Sequence, residues 1–161
     1  MSKVQQRFEV HSSPIQGLGA FATQRVRKGT RIIEYTGERI TPKEADTRYD
    51  NGKPTGRVLL FQVDKRTTID AGVGGNEAKY INHSCEPSCE AVIDARRIYI
   101  EAIRSISPGE ELTYDYNLTR DNQDDKETEA EYACRCGAAT CRGTMLEPLP
   151  KRENRKREIK R

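Results

Sequence analysis

The stretch KYINHSCEP, residues 79–87, places four different functional groups at consecutive positions. They are an amide, an imidazole, a hydroxyl and a thiol, carried by Asn82, His83, Ser84 and Cys85. Weak helix formers followed by Pro87 predict that no helix continues here, whereas Ala78 and Ile81 favour a short helical turn just before the polar residues. One short stretch would then contribute to a ligand pocket and to a metal site. The alternative is a polar turn with an incidentally buried histidine.

Three of the five cysteines form the pattern C-x-C-x4-C, at Cys134, Cys136 and Cys141. Three thiols this close together are crowded for disulfides, but they suit thiolates that converge on one ion. A structural zinc ion takes four tetrahedral ligands, so one more must come from Cys85, Cys89 or a histidine. Because His11 and His83 are the only histidines, cysteine is the better candidate. The sequence predicts a zinc site made of four cysteines rather than free thiols.

Tyrosine dominates the aromatic content, with seven tyrosines, three phenylalanines and no tryptophan. Tyr114 and Tyr116 would share one face of a strand, because side chains alternate along a strand. Ordinary half-buried core is one interpretation of such a pair. Phenols that line an apolar channel can also hold an amine, through hydrogen bonds and cation–π contacts.

The total length of 161 residues predicts one domain with a substantial core. Only 34% of the residues are hydrophobic, and no apolar run approaches the ~20 residues of a membrane span. The amino-terminal residues lack the apolar stretch of a signal peptide. We therefore expect a soluble intracellular protein with no membrane partner.

The net charge of +3 is unevenly distributed. Residues 151–161 carry seven lysines or arginines against two glutamates, whereas residues 121–131 carry six acidic residues and one lysine. A solvated tail and a solvated loop are the simplest interpretations. The alternative for the tail is contact with nucleic acid, an acidic partner or a nuclear import receptor.

Short alternating segments separated by turns predict a mainly β domain. The predicted strands cover residues 7–11, 31–38, 58–63 and 67–71, and a hairpin joins 90–94 to 97–102. A capping pattern at Thr41 predicts a short helix that ends near Tyr49. The sequence GLGAFA, residues 17–22, matches a dinucleotide fingerprint, but no adequate helix follows it. Its glycines indicate either close approach of a ligand to the backbone or a plain turn.

Five motifs occur in a characteristic order: GLGAFA, EYTGE, YINHSCEPSC, GEELTYDY and CRCGAATCRGTM. In this combination the chain resembles the SET-domain protein-lysine methyltransferases with a post-SET zinc segment, from about Phe8 to Met145. The resemblance implies a β-clip-like fold of small sheets with a few short helices and a knot-like carboxy-terminal crossing. It divides the chain into a SET domain (1–120), an acidic loop (121–131), a post-SET zinc segment (132–148) and a basic tail (149–161), which we expect to be disordered.

The resemblance also implies roles for individual residues and two cofactors, S-adenosyl-L-methionine and Zn²⁺. The expected cofactor-binding residues are Gly17, Leu18, Gly19, Asn82 and His83. The expected catalytic residues are Tyr116, with Tyr35 as a second channel phenol and Tyr114 beside it. The expected zinc ligands are Cys85, Cys134, Cys136 and Cys141, which leaves Cys89 free or buried. Because family members often have phenylalanine or tyrosine at the position of Tyr114, its hydroxyl predicts mono- or dimethylation.

The expected activity is transfer of a methyl group to a lysine of a protein, either a histone or another basic protein. The expected partners are therefore a histone or nucleosome, with weak nucleic-acid contact through the basic tail. A nuclear location follows for a eukaryotic protein or a host-directed effector, and a cytoplasmic one otherwise. The competing hypothesis is an inactive, zinc-stabilised docking module that binds protein or nucleic acid.

Overall fold

The structure is a computed structural model that describes residues 6–49, 58–119 and 126–149. Within these residues, the chain forms ten strands in two sheets, two short α-helices and one turn of 3₁₀-helix. The mainly β architecture predicted from the sequence is thus confirmed. No helix in the described part of the chain has the length and apolarity to cross a membrane.

The larger sheet has the strand order β1-β2-β10-β8-β9-β3, and β7 also pairs with β10. Its strands are β1 Phe8–Ser12, β2 Leu18–Ala22, β3 Arg31–Tyr35, β7 Asn82–His83, β8 Cys89–Asp94, β9 Arg97–Ala102 and β10 Glu111–Tyr114. Strand β10 lies parallel to β7 and β8 and antiparallel to β2. The four residues of β10 therefore join strands that are far apart in the sequence.

The smaller sheet has the order β4-β6-β5, with β4 Glu38–Ile40, β5 Leu60–Asp64 and β6 Thr67–Asp70. Helix α1, Pro42–Tyr49, begins as predicted, since the Thr41 hydroxyl accepts the Glu44 N–H at 3.2 Å. The fully buried Asp70 holds α1 on this sheet by accepting from Arg48 at 3.0 Å and from the Tyr49 hydroxyl at 2.9 Å.

Alternating burial explains the core. In β9 every second side chain is buried, and these residues are Ile98, Ile100 and Ala102. They pack with two groups of buried residues, one around Leu112 and Ile81 and one around Tyr35 and Ile69. The predicted β8–β9 hairpin is confirmed, and Ala95 and Arg96 at its tip have φ of 46° and 62°. Both values suit a two-residue turn that follows the twist of the strands.

Three sequence predictions need correction. Within GLGAFA, Leu18–Ala22 form β2, a strand that the sequence did not predict, because β1 and β10 supply pairing partners on its two sides. Strand β10 ends at Tyr114, so Tyr116 lies beyond the strand that was predicted to carry both tyrosines. The acidic segment was predicted to be a loop through residue 131, but α2 covers Lys126–Glu131. Residues 120–125 and 150–161 lie outside the described residues, and they include the first part of that segment and nearly all of the predicted tail.

Candidate functional site

Four cysteines converge although Cys85 is distant in sequence from the other three. Their sulfur atoms all lie within 4.8 Å of one another, and they belong to Cys85, Cys134, Cys136 and Cys141. The Cys85 Sγ lies 3.8 Å from that of Cys134 and 4.0 Å from that of Cys141. A tetrahedral zinc with Zn–S bonds of ~2.3 Å requires sulfurs ~3.8 Å apart. The donor set and its spacing therefore fit Zn²⁺.

Backbone N–H groups surround this cluster. Arg142 N–H donates to Cys85 Sγ at 3.3 Å, and Gly143 N–H donates to Cys141 Sγ at 3.3 Å. Such bonds stabilise thiolate charge, which a metal-bound cysteine needs. The fifth cysteine, Cys89, is fully buried in the core, and burial raises the pKa of its thiol to about 11. Cys89 thus lies in the core, apart from the four clustered cysteines.

Asn82 fixes the amino-terminal loop to the centre of the sheet. Its amide nitrogen donates to the backbone oxygens of Gln16 and Leu18, at 3.2 and 3.0 Å, and to the Glu111 carboxylate at 2.9 Å. The Ser13 hydroxyl donates to the same carboxylate at 2.8 Å. This arrangement gathers backbone carbonyls beside Asn82, and carbonyl oxygens are suited to accept from the ammonium group of an amino-acid-like ligand.

Contacts within the protein explain why glycine is needed at two positions of this loop. Gly17 has φ of 47°, and its carbonyl accepts the Ser13 N–H at 2.8 Å in a closed turn. A Cβ on Gly19 would lie 2.3 Å from a Glu111 carboxylate oxygen. Gly19 therefore makes room for the carboxylate that Asn82 and Ser13 share. Leu18 between the two glycines is 39% exposed.

His83 is buried, and both of its ring nitrogens face protein groups. Its Nδ1 accepts the Tyr116 N–H at 3.0 Å, so the proton of the neutral ring is on Nε2, 3.5 Å from Cys85 Sγ. Burial lowers the pKa of His83 to about 4, against the opposing effect of the Asp115 carboxylate. The imidazole thus links the cysteine cluster to Tyr116, and only the backbone of His83 is available to a bound ligand.

Aromatic rings form a continuous cluster between the two sheets. Tyr116 lies 4.7 Å from Tyr114 between ring centroids, Tyr114 lies 6.2 Å from Phe61, and Phe61 lies 5.5 Å from Tyr35. The Tyr116 hydroxyl donates to the Ile81 carbonyl at 2.7 Å. Burial raises the pKa values of Tyr35 and Tyr114 above the usual tyrosine range, so these phenols stay neutral.

An open groove of about 420 Å³ runs beside this cluster. Tyr114, Tyr116 and Phe61 line it, together with residues of α1, β5, β6 and segment 117–119. Asp46 on α1 is the only charged side chain among its described lining residues. Tyr35 does not line the groove. It lies against Phe61, and its hydroxyl donates to the Leu59 carbonyl at 2.9 Å.

Several site contacts were not anticipated from the sequence. Arg142 and Asp115 form a two-pronged ion pair, with nitrogen–oxygen distances of 2.8 and 3.0 Å. The backbone N–H of Thr140 donates to the Glu86 carboxylate at 3.1 Å. Both contacts join the cysteine-rich segment to the centre of the sheet. For the ion pair, the only sequence signal is an opposite charge near a motif residue, which is too common to be selective. The Thr140 contact has no charge signal, because its donor is a backbone N–H.

The fold and the site together define a mainly β domain in which four cysteines that suit a metal ion lie beside a tyrosine-lined groove. Residues 17–117 match the SET domain family. The chain belongs to this family.

Several curated proteins are similar to this chain. It is 41% identical over 145 residues to a Schizosaccharomyces pombe protein named histone-lysine N-methyltransferase, H3 lysine-4 specific, over 85% of this chain and 15% of that protein. A Saccharomyces cerevisiae protein of the same name is 42% identical over 141 residues, covering 83% and 12%. The Drosophila melanogaster histone-lysine N-methyltransferase trr is 41% identical over 138 residues, covering 83% and 6%. The chain thus spans 15% or less of the length of these relatives.

Proposed function

We propose that this SET domain transfers a methyl group from S-adenosyl-L-methionine to the side-chain amine of a lysine in a protein. The observation that carries the proposal is the position of Tyr116. Its ring lines the groove, while its hydroxyl is fixed on the Ile81 carbonyl, directly before Asn82. Tyr116 therefore stands between a groove for a peptide and the loop that Asn82 holds.

The cofactor would bind beside Asn82 and β7. The carbonyls of Gln16 and Leu18 converge there and would accept from its ammonium group. Among the described strands, β7 pairs only with β10, so its other edge is available for hydrogen bonds to the adenine base. Since the His83 ring is used internally, its contribution would come from the backbone.

Methyl transfer needs a neutral amine. A lysine amine has a pKa of ~10.4 in water, and desolvation among the phenol rings favours its uncharged form. When bound, S-adenosyl-L-methionine supplies a methyl group on a positively charged sulfur. The neutral lysine amine would take up this methyl group and leave the sulfur neutral, and the proton released from the nitrogen would pass to water. Tyr116 orients the amine, and positioning of this kind contributes ~7–11 kcal/mol to catalysis.

The cysteine cluster would bind Zn²⁺ in a structural role. All four ligands come from the protein, so no position remains for a reactive water. The ion would fasten segment 134–143 beside His83 and Asp115, next to the groove.

The substrate would be a basic protein segment. Asp46 is the only charge among the described groove residues, and a single carboxylate attracts a cationic peptide. The two yeast relatives are named as specific for lysine 4 of histone H3, so histone H3 is the first substrate to test. A chromatin location in the nucleus follows if histone H3 is the substrate.

The test is transfer of labelled methyl to histones, nucleosomes and a cell lysate, with wild type and Tyr116→Phe compared. We expect label from wild type and a loss of about 100-fold in Tyr116→Phe, because the lysine amine loses its oriented acceptor. Equal labelling would contradict the role of Tyr116. No labelling and no calorimetric binding of cofactor would favour the docking module.

A further inference from the structure

Arg142 connects the cysteine cluster to the tyrosine segment. It follows Cys141 directly, and its own N–H donates to Cys85 Sγ. Its guanidinium donates to both oxygens of Asp115, the residue before Tyr116. A planar guanidinium that meets a carboxylate through two parallel bonds fixes both position and orientation.

The Tyr116 backbone lies two residues beyond the end of β10 and is joined to the cysteine cluster by two routes. In the first, its N–H donates to His83 Nδ1, and His83 Nε2 faces Cys85 Sγ. The second runs through the adjacent Asp115 to Arg142. Both routes end on residues that belong to the cysteine cluster or directly follow it.

The Arg142 side chain is more enclosed than an ordinary surface cation. It is 24% exposed, its partner Asp115 is 32% exposed, and its Nε is buried without a hydrogen-bond partner among the described residues. One of its nitrogens also donates to the Leu146 carbonyl at 3.4 Å. Arg142 gives up hydration at Nε while its other nitrogens hold Asp115. Its geometry is therefore more constrained than that of an ordinary surface ion pair.

We propose that Arg142 is a positioning residue for Tyr116, which it holds through Asp115 in the orientation needed for methyl transfer. The inference rests on the proposed function for its catalytic readout. The structural part of the inference does not depend on the proposed function. It states that Arg142, which belongs to the cysteine-rich segment, orders the backbone of residues 115–118.

The experiment compares Arg142→Gln and Arg142→Lys with Arg135→Gln. Arg135 lies between two of the clustered cysteines but is exposed, which makes it a matched control. Zinc content, cofactor affinity, kcat and KM are measured, together with amide hydrogen exchange of Tyr116 and Leu118. We expect Arg142→Gln to keep its zinc and its cofactor affinity, to lose about 10- to 100-fold in kcat with a smaller change in KM, and to exchange faster at Tyr116.

Further outcomes separate positioning from plain stability. Arg142→Lys should recover part of kcat, because an ammonium makes only one of the two bonds. The double variant with Asp115→Asn and Arg142→Gln should lose no more kcat than either single variant, since both substitutions break the same ion pair. The inference would be overturned if Arg142→Gln lost its zinc, or if it kept the kcat and the hydrogen-exchange rate of the wild type. If wild type methylates nothing, the proposed function fails while hydrogen exchange at Tyr116 still decides the positioning claim.

Discussion

At the scale of single residues, the three tyrosines of the site have different surroundings. Tyr35 donates its hydroxyl hydrogen to the Leu59 carbonyl and Tyr116 donates its own to the Ile81 carbonyl, which leaves each oxygen oriented as an acceptor. No hydrogen bond joins the Tyr114 hydroxyl to another described residue, although its ring lines the groove. The Tyr114 oxygen is thus available to a water molecule or to the substrate amine.

We predict that Tyr114 limits the number of methyl groups added. A water held by its hydroxyl would occupy the space that a further methyl group needs. Tyr114→Phe should therefore shift a mono- or dimethylated product towards trimethylation, with the first transfer changed less than about 10-fold. Mass spectrometry of a methylated peptide over time measures the distribution. An unchanged highest methylation state would contradict the prediction.

The main chemistry of the site could be predicted at this scale, but its contacts could not. Motif residues such as Asn82 and Tyr116 stand out because so many functional side chains rarely occur within so few consecutive residues. The partner of Asp115 does not stand out, because many basic residues could face it until the fold selects Arg142. The partner of Glu86 does not stand out either, because it is the backbone N–H of Thr140, and every residue except proline has such a group. The resemblance predicts that His83 binds the cofactor, but it does not say that the ring accepts the Tyr116 N–H, which leaves the backbone of His83 for a ligand.

At the scale of elements, α1 and the smaller sheet form one wall of the groove. Residues of α1, β5 and β6 line it, and Asp70 fastens α1 through Arg48 and Tyr49. Among the described residues that line the groove, the one charged side chain is that of Asp46, which lies on α1. Substrate preference is therefore expected to depend on α1 rather than on the strands that carry the tyrosines.

We predict that Asp46→Asn weakens binding of basic peptides. Removing one exposed attractive charge is worth ~0.5–1 kcal/mol, so KM should rise about 2- to 5-fold with kcat nearly unchanged. Peptides with and without an arginine near the target lysine are compared in steady-state assays. Asp94→Asn is the control, because Asp94 is an exposed acid on β8 outside the groove. Equal effects of the two changes would argue against recognition by Asp46.

Elements with strong alternation or capping could be predicted from the sequence. The hairpin at Ala95–Arg96 and the start of α1 at Thr41 follow from local residues alone. Strand β2 could not be predicted this way, since its glycines favour a turn and only the pairing with β1 and β10 overrides that preference. The helix in the acidic segment was missed because six acids within eleven residues suggest repulsion.

At the scale of the whole molecule, the cysteine cluster ties the last described segment to the sheet. Segment 126–149 contacts the remainder through Cys85, through Asp115 and through the bridge between Leu118 and Leu146. Few apolar side chains of this segment are buried among the described residues, and Leu146 is the main one. Its order is therefore expected to depend on the metal more than on core packing.

We predict that removal of zinc by a chelator releases this segment while the sheets persist. A structural zinc contributes ~10–16 kcal/mol of apparent binding energy, far more than one buried leucine. Trypsin should then cut at Arg135 and Arg142, while the far-ultraviolet circular dichroism stays close to that of a β protein.

The controls for this prediction are two cysteine substitutions. Cys136→Ser should reproduce the protease sensitivity without chelator, whereas Cys89→Ala should retain zinc and resist cleavage. Added Zn²⁺ should restore protection of the chelated wild type. Protection that survives complete loss of metal would show that packing alone orders the segment.

The central place of β10 has a consequence for synthesis of the chain on the ribosome. Strands β2, β7 and β8 all pair with β10, Glu111–Tyr114, which is synthesised after them. Each of the three therefore leaves the exit tunnel with an unpaired edge. At ~5–20 residues per second, several seconds separate the emergence of β2 from that of β10. During that interval the nascent chain presents unpaired strand edges, which makes it a substrate for chaperones and prone to aggregation.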